Sequence, residues 1–437
     1  MSPGSWPRLL TIMGSGETSP TMAKTHRQLL GRLGPPPVPA VVLDTAFGFQ
    51  ENADDIAARA QDYFRESVGA EIEVATLRSA EGLDPARRAA WLARIRDARY
   101  VFAGPGSPSY ALRQWGPAGL EGQLREKLRP GGTGGGITFA SAAALTLGAA
   151  TVPVYEIYKV GEAPRWLPGL GVLEEAGLRA AVIPHYNNAE GGNHDTRYCY
   201  LGERRLSRME EDLEEGVFVL GVDEHTGLVL DLDEGSATVV GLGVVTVRAR
   251  GRSAEIPTGS TVPITSLAER AEELGHRPVP ASGPGVVPGQ AGPPGTGSSG
   301  PAVRPAASPL LATVSDLQAS FDKAVEARDT EGAVRAILQL DQELVDWSRD
   351  TLQSDELDRA RDAMHAMVAS LGRLAERGAR DPRQVVGPFV DALLEERAQA
   401  RAEHRYADAD RIRDRLVEAG IEVRDSPSGT EWLLAAS

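Results

Sequence analysis

Three stretches of the chain hold the residue types that hydrolytic chemistry needs. The first is Gly131-Gly132-Thr133-Gly134-Gly135-Gly136-Ile137-Thr138-Phe139-Ala140-Ser141-Ala142-Ala143-Ala144-Leu145. A glycine-rich turn leads into a short apolar run, which stops at a lone serine followed by residues of high helix propensity. Strand, sharp turn and helix is the pattern of a nucleophile elbow, in which the hydroxyl is exposed at a sheet edge and neighbouring N–H groups face a developing oxyanion. The same pattern suits a buried serine that caps a helix. The second stretch, Pro184 to Arg197, is the most polar loop of the chain, with two of its seven histidines, three Asn, two acids and an Arg. Loops of this content on a sheet scaffold tend to carry chemistry. His185, His194 and Asp195 match no standard ligand spacing, so no metal and no cofactor is expected. The third, Val152 to Lys159, places one carboxylate, Glu156, in an apolar and aromatic run. Burying it unpaired is costly, so it sits at an exposed edge or is held for a purpose.

These residues need a scaffold, and the first part of the chain supplies the signals of one. Leu9 to Met13, Ala40 to Leu43, Ile72 to Leu77 and Tyr100 to Ala103 read as strands, with helical patterns at Asn52 to Val68 and Pro85 to Arg96. Alternating strands and helices predict an α/β fold, a mostly parallel sheet with helices on both faces. Ligands bind such sheets at the carboxyl ends of the strands. Four loops fall there: Gly14 to Thr18, Thr45 to Gly48, Gly104 to Pro108 and the turn at Ser141. The first reads as a plain tight turn. Strand-like runs at Val217 to Val222, Gly227 to Asp231, Ala237 to Val240 and Val244 to Arg248 predict an antiparallel meander at one side of the sheet. His225, in its first turn, reads as an exposed residue.

From Arg277 to Ser308 the chain is rich in Pro, Gly, Ala and Ser and has no acidic residue, which is the composition of a linker. Helical spacing resumes with Leu317, Phe321 and Val325, and further helices are predicted at Glu356 to Arg377, Gln384 to Glu403 and Tyr406 to Ala419. The expected domains are 1–267, a linker at 268–308, and an all-α module at 309–437. At 437 residues with 41% apolar content the chain can build more than one core. Its net charge of −15 sets up no global attraction for nucleic acid or anionic lipid. The single cysteine, Cys199, excludes an internal disulfide and fits a reducing cytoplasm. Neither a signal peptide nor a membrane span is expected, because Ser, Thr, Gly and Pro153 dilute the uncharged run Ile137 to Tyr155.

The first part resembles the peptidase E and cyanophycinase family, serine hydrolases on a class I glutamine amidotransferase-like sheet. The elbow at Ser141, the stretch Pro184-His185-Tyr186-Asn187-Asn188 and the loop Gly104-Pro105-Gly106 carry the resemblance. It implies Ser141 as nucleophile, His185 as base and Glu156, fifteen positions after the serine, as the acid that orients the imidazole. The N–H groups of Gly106 and Ala142 would be the oxyanion donors. Asn187, Arg197 and Glu224 would contact substrate, and Glu224 is a second candidate for the orienting acid. Phe139 and Ala143 stand where the family has elbow glycines, so the turn is either a modified elbow or a relaxed one with an idle serine. An active enzyme would cleave a peptide or isopeptide bond beside an aspartyl group. The other reading is a catalytically silent scaffold carrying an RNA- or protein-docking tail. Cys199 is a minor alternative nucleophile, more simply read as packed between its tyrosine neighbours.

The tail resembles the C-terminal end of bacterial cysteinyl-tRNA synthetase, through Ala409 to Leu416, Gly420-Ile421, Val423, Asp425, Gly429-Thr430 and Trp432. That resemblance implies tRNA as a partner. No His-x-Gly-His or Lys-Met-Ser-Lys-Ser motif is present, so a working cysteine–tRNA ligase is not expected. Asp391 to Asp425 contains ten acids and seven arginines, net −3, a mixture that weakens phosphate affinity. Arg411 and Arg415 share a helix face that would form either a local basic patch or a solvated, internally paired surface.

Overall fold

The computed structural model describes residues 6–190, 194–276, 308–327, 329–348, 350, 355–378, 382–426 and 429–434. It forms two compact units, Met1–Thr313 with Asp341–Ala360, and Val314–Leu340 with Arg361–Ser437. In chain order the first unit contains β1 (Arg8–Met13), α1 (Pro20–Arg32), β2 (Ala40–Leu43), α2 (Ala53–Tyr63), β3 (Glu73–Ala75), α3 (Pro85–Asp97), β4 (Tyr100–Ala103), α4 (Pro108–Ala118), α5 (Leu120–Leu128), β5 (Gly135–Ala140) and the short α6 (Ser141–Leu145). There follow β6 (Ala150–Thr151), β7 (Leu167–Pro168), β8 (Ala180–Ile183), α7 (Gly202–Glu211), β9 (Phe218–Val222), β10 (Thr226–Asp231), β11 (Ser236–Gly241), β12 (Val244–Ala249), β13 (Arg252–Pro257), β14 (Thr261–Pro263) and α8 (Thr265–His276).

Local chemistry explains where these helices begin. Pro20, Pro85 and Pro108 open α1, α3 and α4, where a missing N–H leaves no hydrogen bond unmade. The Asp84 carboxylate accepts the N–H groups of Ala86 and Arg87, and the Ser107 hydroxyl accepts that of Tyr110, so α3 and α4 carry side-chain caps. Strands β2, β4 and β5 are buried along their whole length, which is why they read as continuous apolar runs. Among the described residues the strands form an eight-stranded sheet in the order β14-β11-β10-β1-β5-β4-β2-β3 and a six-stranded sheet in the order β13-β12-β9-β8-β6-β7. In the first sheet β1, β5, β4, β2 and β3 are parallel neighbours. In the second, β8 is parallel to both β6 and β9.

The strands after Val217 do not form one meander. β9 and β12 pair in the second sheet, while β10 lies antiparallel to β1 in the first. The chain therefore crosses between sheets at Asp223 to His225. With β8 on one side and β12 on the other, the buried β9 has its backbone N–H and C=O groups paired at both edges. The expected boundary at 267 falls inside α8, because Leu267 and Ala271 are buried in the main core. Residues 277–307 of the expected linker lie outside the described residues. Asp341–Ala360, expected in the C-terminal module, belongs to the first unit: Trp347 meets the His225 ring edge-on at 5.5 Å, and Asp350 accepts from the Thr18 hydroxyl at 3.2 Å.

The later elements are α9 (Pro309–Glu326), α10 (Thr330–Trp347), α11 (Glu356–Gly378), α12 (Pro382–Ala402), α13 (Tyr406–Glu418), β15 (Ile421–Ser426) and β16 (Gly429–Leu434). The second unit is thus helical but not all-α. Gly420, at φ +80°, ends α13, and an antiparallel hairpin turns Ile421 and Val423 inward against Val390 and Leu416. The buried Arg397 guanidinium grips Asp425 through two bonds of 2.8 and 2.7 Å, which ties α12 to the hairpin. Among the described residues no helix is long and apolar enough to cross a membrane.

Trp115 of α4 is fully buried in the main core and packs on Phe139 of β5 at 5.5 Å between ring centres. Trp115→Ala is expected to destabilise the first unit by about 3–5 kcal/mol. Val160→Ala, at a site 71% exposed, is expected to stay within about 0.5 kcal/mol of the parent. Urea unfolding midpoints of the full chain followed by circular dichroism check both.

Candidate active site

Ser141 follows directly on the carboxyl end of β5, His185 lies two residues beyond β8, and Glu224 two residues beyond β9. The sheet topology thus carries three side chains from distant sequence to one place. The Ser141 Oγ lies 2.9 Å from His185 Nε2, and His185 Nδ1 lies 2.9 Å from Glu224 Oε1. Ser141 and His185 have φ of +48° and +47°, a backbone region that non-glycine residues seldom adopt and that clusters at functional sites. The turn at Ser141 is therefore sharp rather than relaxed, although no glycines flank it. Phe139 points into the core against Trp115, and the Ala143 N–H donates to the Gly104 carbonyl at 3.2 Å, so both side chains are accommodated by the packing.

Glu224 is positioned by the loop that holds the histidine. Asn188 Nδ2 donates to Glu224 Oε1 at 3.1 Å, and the Glu224 N–H donates to Asn187 Oδ1 at 2.8 Å. Burial alone would lower the His185 pKa, but the hydrogen bond and charge of Glu224, with Glu17 and Glu190 behind it, hold it above the ordinary histidine value. Burial likewise disfavours the charge of Glu224, yet the bond and charge of His185 and the Asn188 amide keep its pKa below the usual carboxylate range. The pair can accept a proton from the serine and stabilise the resulting imidazolium.

Glu156 does not take part in this chain. Its Oε1 accepts from the Ser109 hydroxyl at 2.5 Å and lies 3.9 Å from the Arg113 guanidinium, because the turn after β6 carries it to α4 rather than to His185. Arg197 is also engaged elsewhere, since its Nε and one terminal nitrogen each lie 2.8 Å from Asp195. Asn187 braces the Glu224 backbone while still lining the cleft. His185 and Asp195 thus serve different partners, and among the described residues no group of three or more metal-binding side chains converges. His225 is buried, not exposed. Its Nδ1 lies 3.0 Å from the Thr21 hydroxyl, and burial pushes its pKa down to about 4. Cys199 is packed at the cleft wall, where burial raises its thiol pKa to about 12.

The cleft above Ser141 has a volume of about 680 Å³ and is lined by Gly106, Ala142, Tyr155, Tyr158, Lys159, Asn187, Glu190 and Tyr200, among others. Gly106 has φ +134°, and a Cβ there would stand 2.1 Å from the Ala46 carbonyl, so only glycine fits. The Ala142 N–H belongs to the first turn of α6, where no intrahelical acceptor exists. Lys159, whose Nζ sits 5.0 Å from the Tyr158 ring centre, brings a cation to the cleft wall. Sequence reasoning passed over Asn188 and Lys159. The amide was legible as the neighbour of Asn187, but nothing in the sequence places Lys159 in the same cleft as the serine.

The family of cysteinyl-tRNA ligase anticodon binding domains matches residues 386–432, which run from α12 to β16. The cysteine–tRNA ligase of Deinococcus radiodurans is 38% identical over 84 residues, 18% of this chain and 17% of that protein. The enzyme of Leifsonia xyli subsp. xyli is 32% identical over 120 residues, 25% of each chain. The match with the enzyme of Salinibacter ruber reaches 60% identity over 43 residues, 10% of this chain and 8% of that one. The chain thus spans at most a quarter of the length of these relatives. Among solved structures, a peptidase from an acI-B1 Actinobacterium is similar over 60% of this chain and 98% of its own, at 21% identity and a TM-score of 0.45. A putative peptidase E protein from Listeria monocytogenes EGD-e is similar over 54% of this chain and all of its own, at 13% identity and a TM-score of 0.36.

Glu224 supplies the largest of the effects that raise the His185 pKa, ahead of Glu17 and Glu190. Glu224→Gln is expected to lower that pKa relative to the parent, whereas Glu156→Gln leaves it unchanged. Proton–carbon NMR titration of the histidine ring signals checks both.

Proposed function

We propose that the first unit is a serine hydrolase in which Ser141 is the nucleophile, His185 the general base and Glu224 the acid that orients the imidazole. The relay of two 2.9 Å contacts from Ser141 through His185 to Glu224 carries this reading. As Ser141 Oγ attacks a carbonyl carbon, its proton passes to His185 Nε2, while Nδ1–H stays bonded to the Glu224 carboxylate. The N–H groups of Gly106 and Ala142 receive the negative charge that develops on the carbonyl oxygen. His185 then returns the proton to the leaving amine, and water repeats the sequence to free the enzyme.

The substrate class is a small peptide or isopeptide bearing a carboxylate. Lys159 reads that carboxylate from the cleft wall, a role that Arg197 cannot fill while both its bonds go to Asp195. Labelling by a fluorophosphonate, read by intact mass, tests the nucleophile. The parent is expected to label at one site, and Ser141→Ala and His185→Ala are not; absence of labelling in the parent, or equal labelling of all three, removes the reading. Hydrolysis of aspartyl dipeptides tests the substrate. Glu224→Gln is expected to lower kcat/KM by about 10³–10⁴-fold and Glu156→Gln by less than about tenfold. Lys159→Ala is expected to raise KM with little change in kcat.

A second reading concerns the second unit, and the match at residues 386–432 favours it. It binds tRNA through α13, whose exposed Arg413 and Arg415 make no ion pair among the described residues, while Arg411 is held by Asp408. Filter binding of tRNA to the full chain over a salt series tests this. Arg413→Glu with Arg415→Glu is expected to weaken binding and reduce the salt slope by about two. An unchanged affinity and slope would remove the assignment.

A further inference from the structure

Beneath the elbow lies a carboxylic acid that the serine relay does not use. Glu17, in the turn after β1, is fully buried, and neither of its carboxylate oxygens has a hydrogen-bond partner among the described residues. The turn sets this side chain against the loop after β4. A Cβ on Gly104 would stand 2.8 Å from Glu17 Oε1, so the carboxyl packs directly over this glycine and a larger residue there would push it aside. The Gly104 carbonyl accepts the Ala143 N–H, so the acid rests on the residue that joins the Gly104–Gly106 loop to α6. Its own backbone is fixed as well. His26 Nε2–H donates to the Glu17 carbonyl at 2.7 Å, and the Tyr100 hydroxyl meets His26 Nδ1 at 2.7 Å.

A buried carboxyl held only for structure is normally satisfied by donors, because leaving it unpaired is unfavourable in either protonation state. The charged and titratable groups that act on Glu17 are Asp350, His185, Tyr63 and, at its backbone, His26. Burial keeps His26 neutral near physiological pH and raises the Tyr63 phenol far above it. Burial, then Asp350, raise the Glu17 pKa to about 7, against the pull of its backbone bond and of His185. Glu17 therefore changes charge near neutrality beside the two groups that must handle charge during acylation.

We propose that Glu17 is a positioning residue whose ionisation slows acylation of Ser141, so that the form with a neutral Glu17 is the active one. The inference rests on the serine hydrolase reading above. An anion under the Gly104–Gly106 loop opposes the negative charge that must build on the oxyanion. The same anion favours protonated His185, the state that cannot act as base. The second effect acts only where His185 still titrates, and the first carries the alkaline fall. Activity rises with pH as His185 loses its proton and falls again as Glu17 ionises.

The rate of fluorophosphonate labelling of the full chain between pH 5 and pH 9 reads this directly. The parent is expected to show a bell, falling by about tenfold on its alkaline side. Glu17→Gln is expected to lose the alkaline fall and to shift the acid limb to lower pH, because one anion near His185 is gone. A role confined to packing would lower the rate equally at every pH. A parent profile with no alkaline fall overturns the inference while leaving the hydrolase reading intact, and so does a Gln variant with the same fall as the parent. If the parent fails to label at any pH, the hydrolase reading is lost and this inference goes with it. Where Glu17→Gln does not fold, Glu17→Met, uncharged and of similar length, is read the same way.

Discussion

The imidazole of His185 is the group on which the arrangement of the first unit's site depends, because it is buried between the Ser141 hydroxyl and the Glu224 carboxylate. A buried imidazolium is unfavourable unless a carboxylate faces it, and Glu224 meets that need at 2.9 Å. Glu224 is then constrained in turn. Its charge is tolerated because Asn188 and the imidazole both bond it, and its place depends on Asn187 holding its backbone. Those two asparagines come from the same loop as the histidine. One segment thus carries the histidine and braces its carboxylate partner, although that carboxylate arrives on a separate strand end.

Backbone geometry serves the same arrangement. The left-handed conformations of Ser141 and His185 each carry strain that only a well-packed surround maintains. The buried sheet supplies it, with Phe139 locked against Trp115 below the elbow and Ala143 tied to Gly104 above it. A turn without glycine can be sharp when the side chains beside it have room in the core. Glu17 belongs to this layer too, since its carboxyl occupies the space that Gly104 leaves open.

The second unit rests on a different principle. Its apolar core is small, with Val390, Leu416, Ile421 and Val423 buried together, and the Arg397–Asp425 fork joins helix to hairpin at its edge. Several other arginines there are spent on nearby acids, including Arg401, Arg405, Arg411 and Arg424. This pairing leaves a weak electrostatic field despite the many cations, and makes any phosphate contact a matter of a few unpaired side chains.

Periodicity alone determined most of the elements. The strands at Leu9, Ala40 and Tyr100, the helix opening on Pro85, and the late helices were legible because capping residues and apolar spacing act within one turn or strand. Ser141 and His185 were legible as well, since an elbow and a polar strand-end loop are local patterns. The choice between the two candidate partners of the histidine was not. Glu156 stands in an apolar run and Glu224 in a polar turn, and the family resemblance pointed to the first with the second as its alternative. Only the crossing of the chain between the two sheets at Asp223 to His225 brought Glu224 to the imidazole and left Glu156 with Ser109. The burial of Glu17 and His225 was equally a matter of tertiary packing, because a short polar turn looks the same in sequence whether it meets water or is covered by a neighbouring loop. Sequence determines what lies within hydrogen-bond reach along the chain; the pairing of strands into two sheets decided which distant carboxylate shares a proton with the histidine.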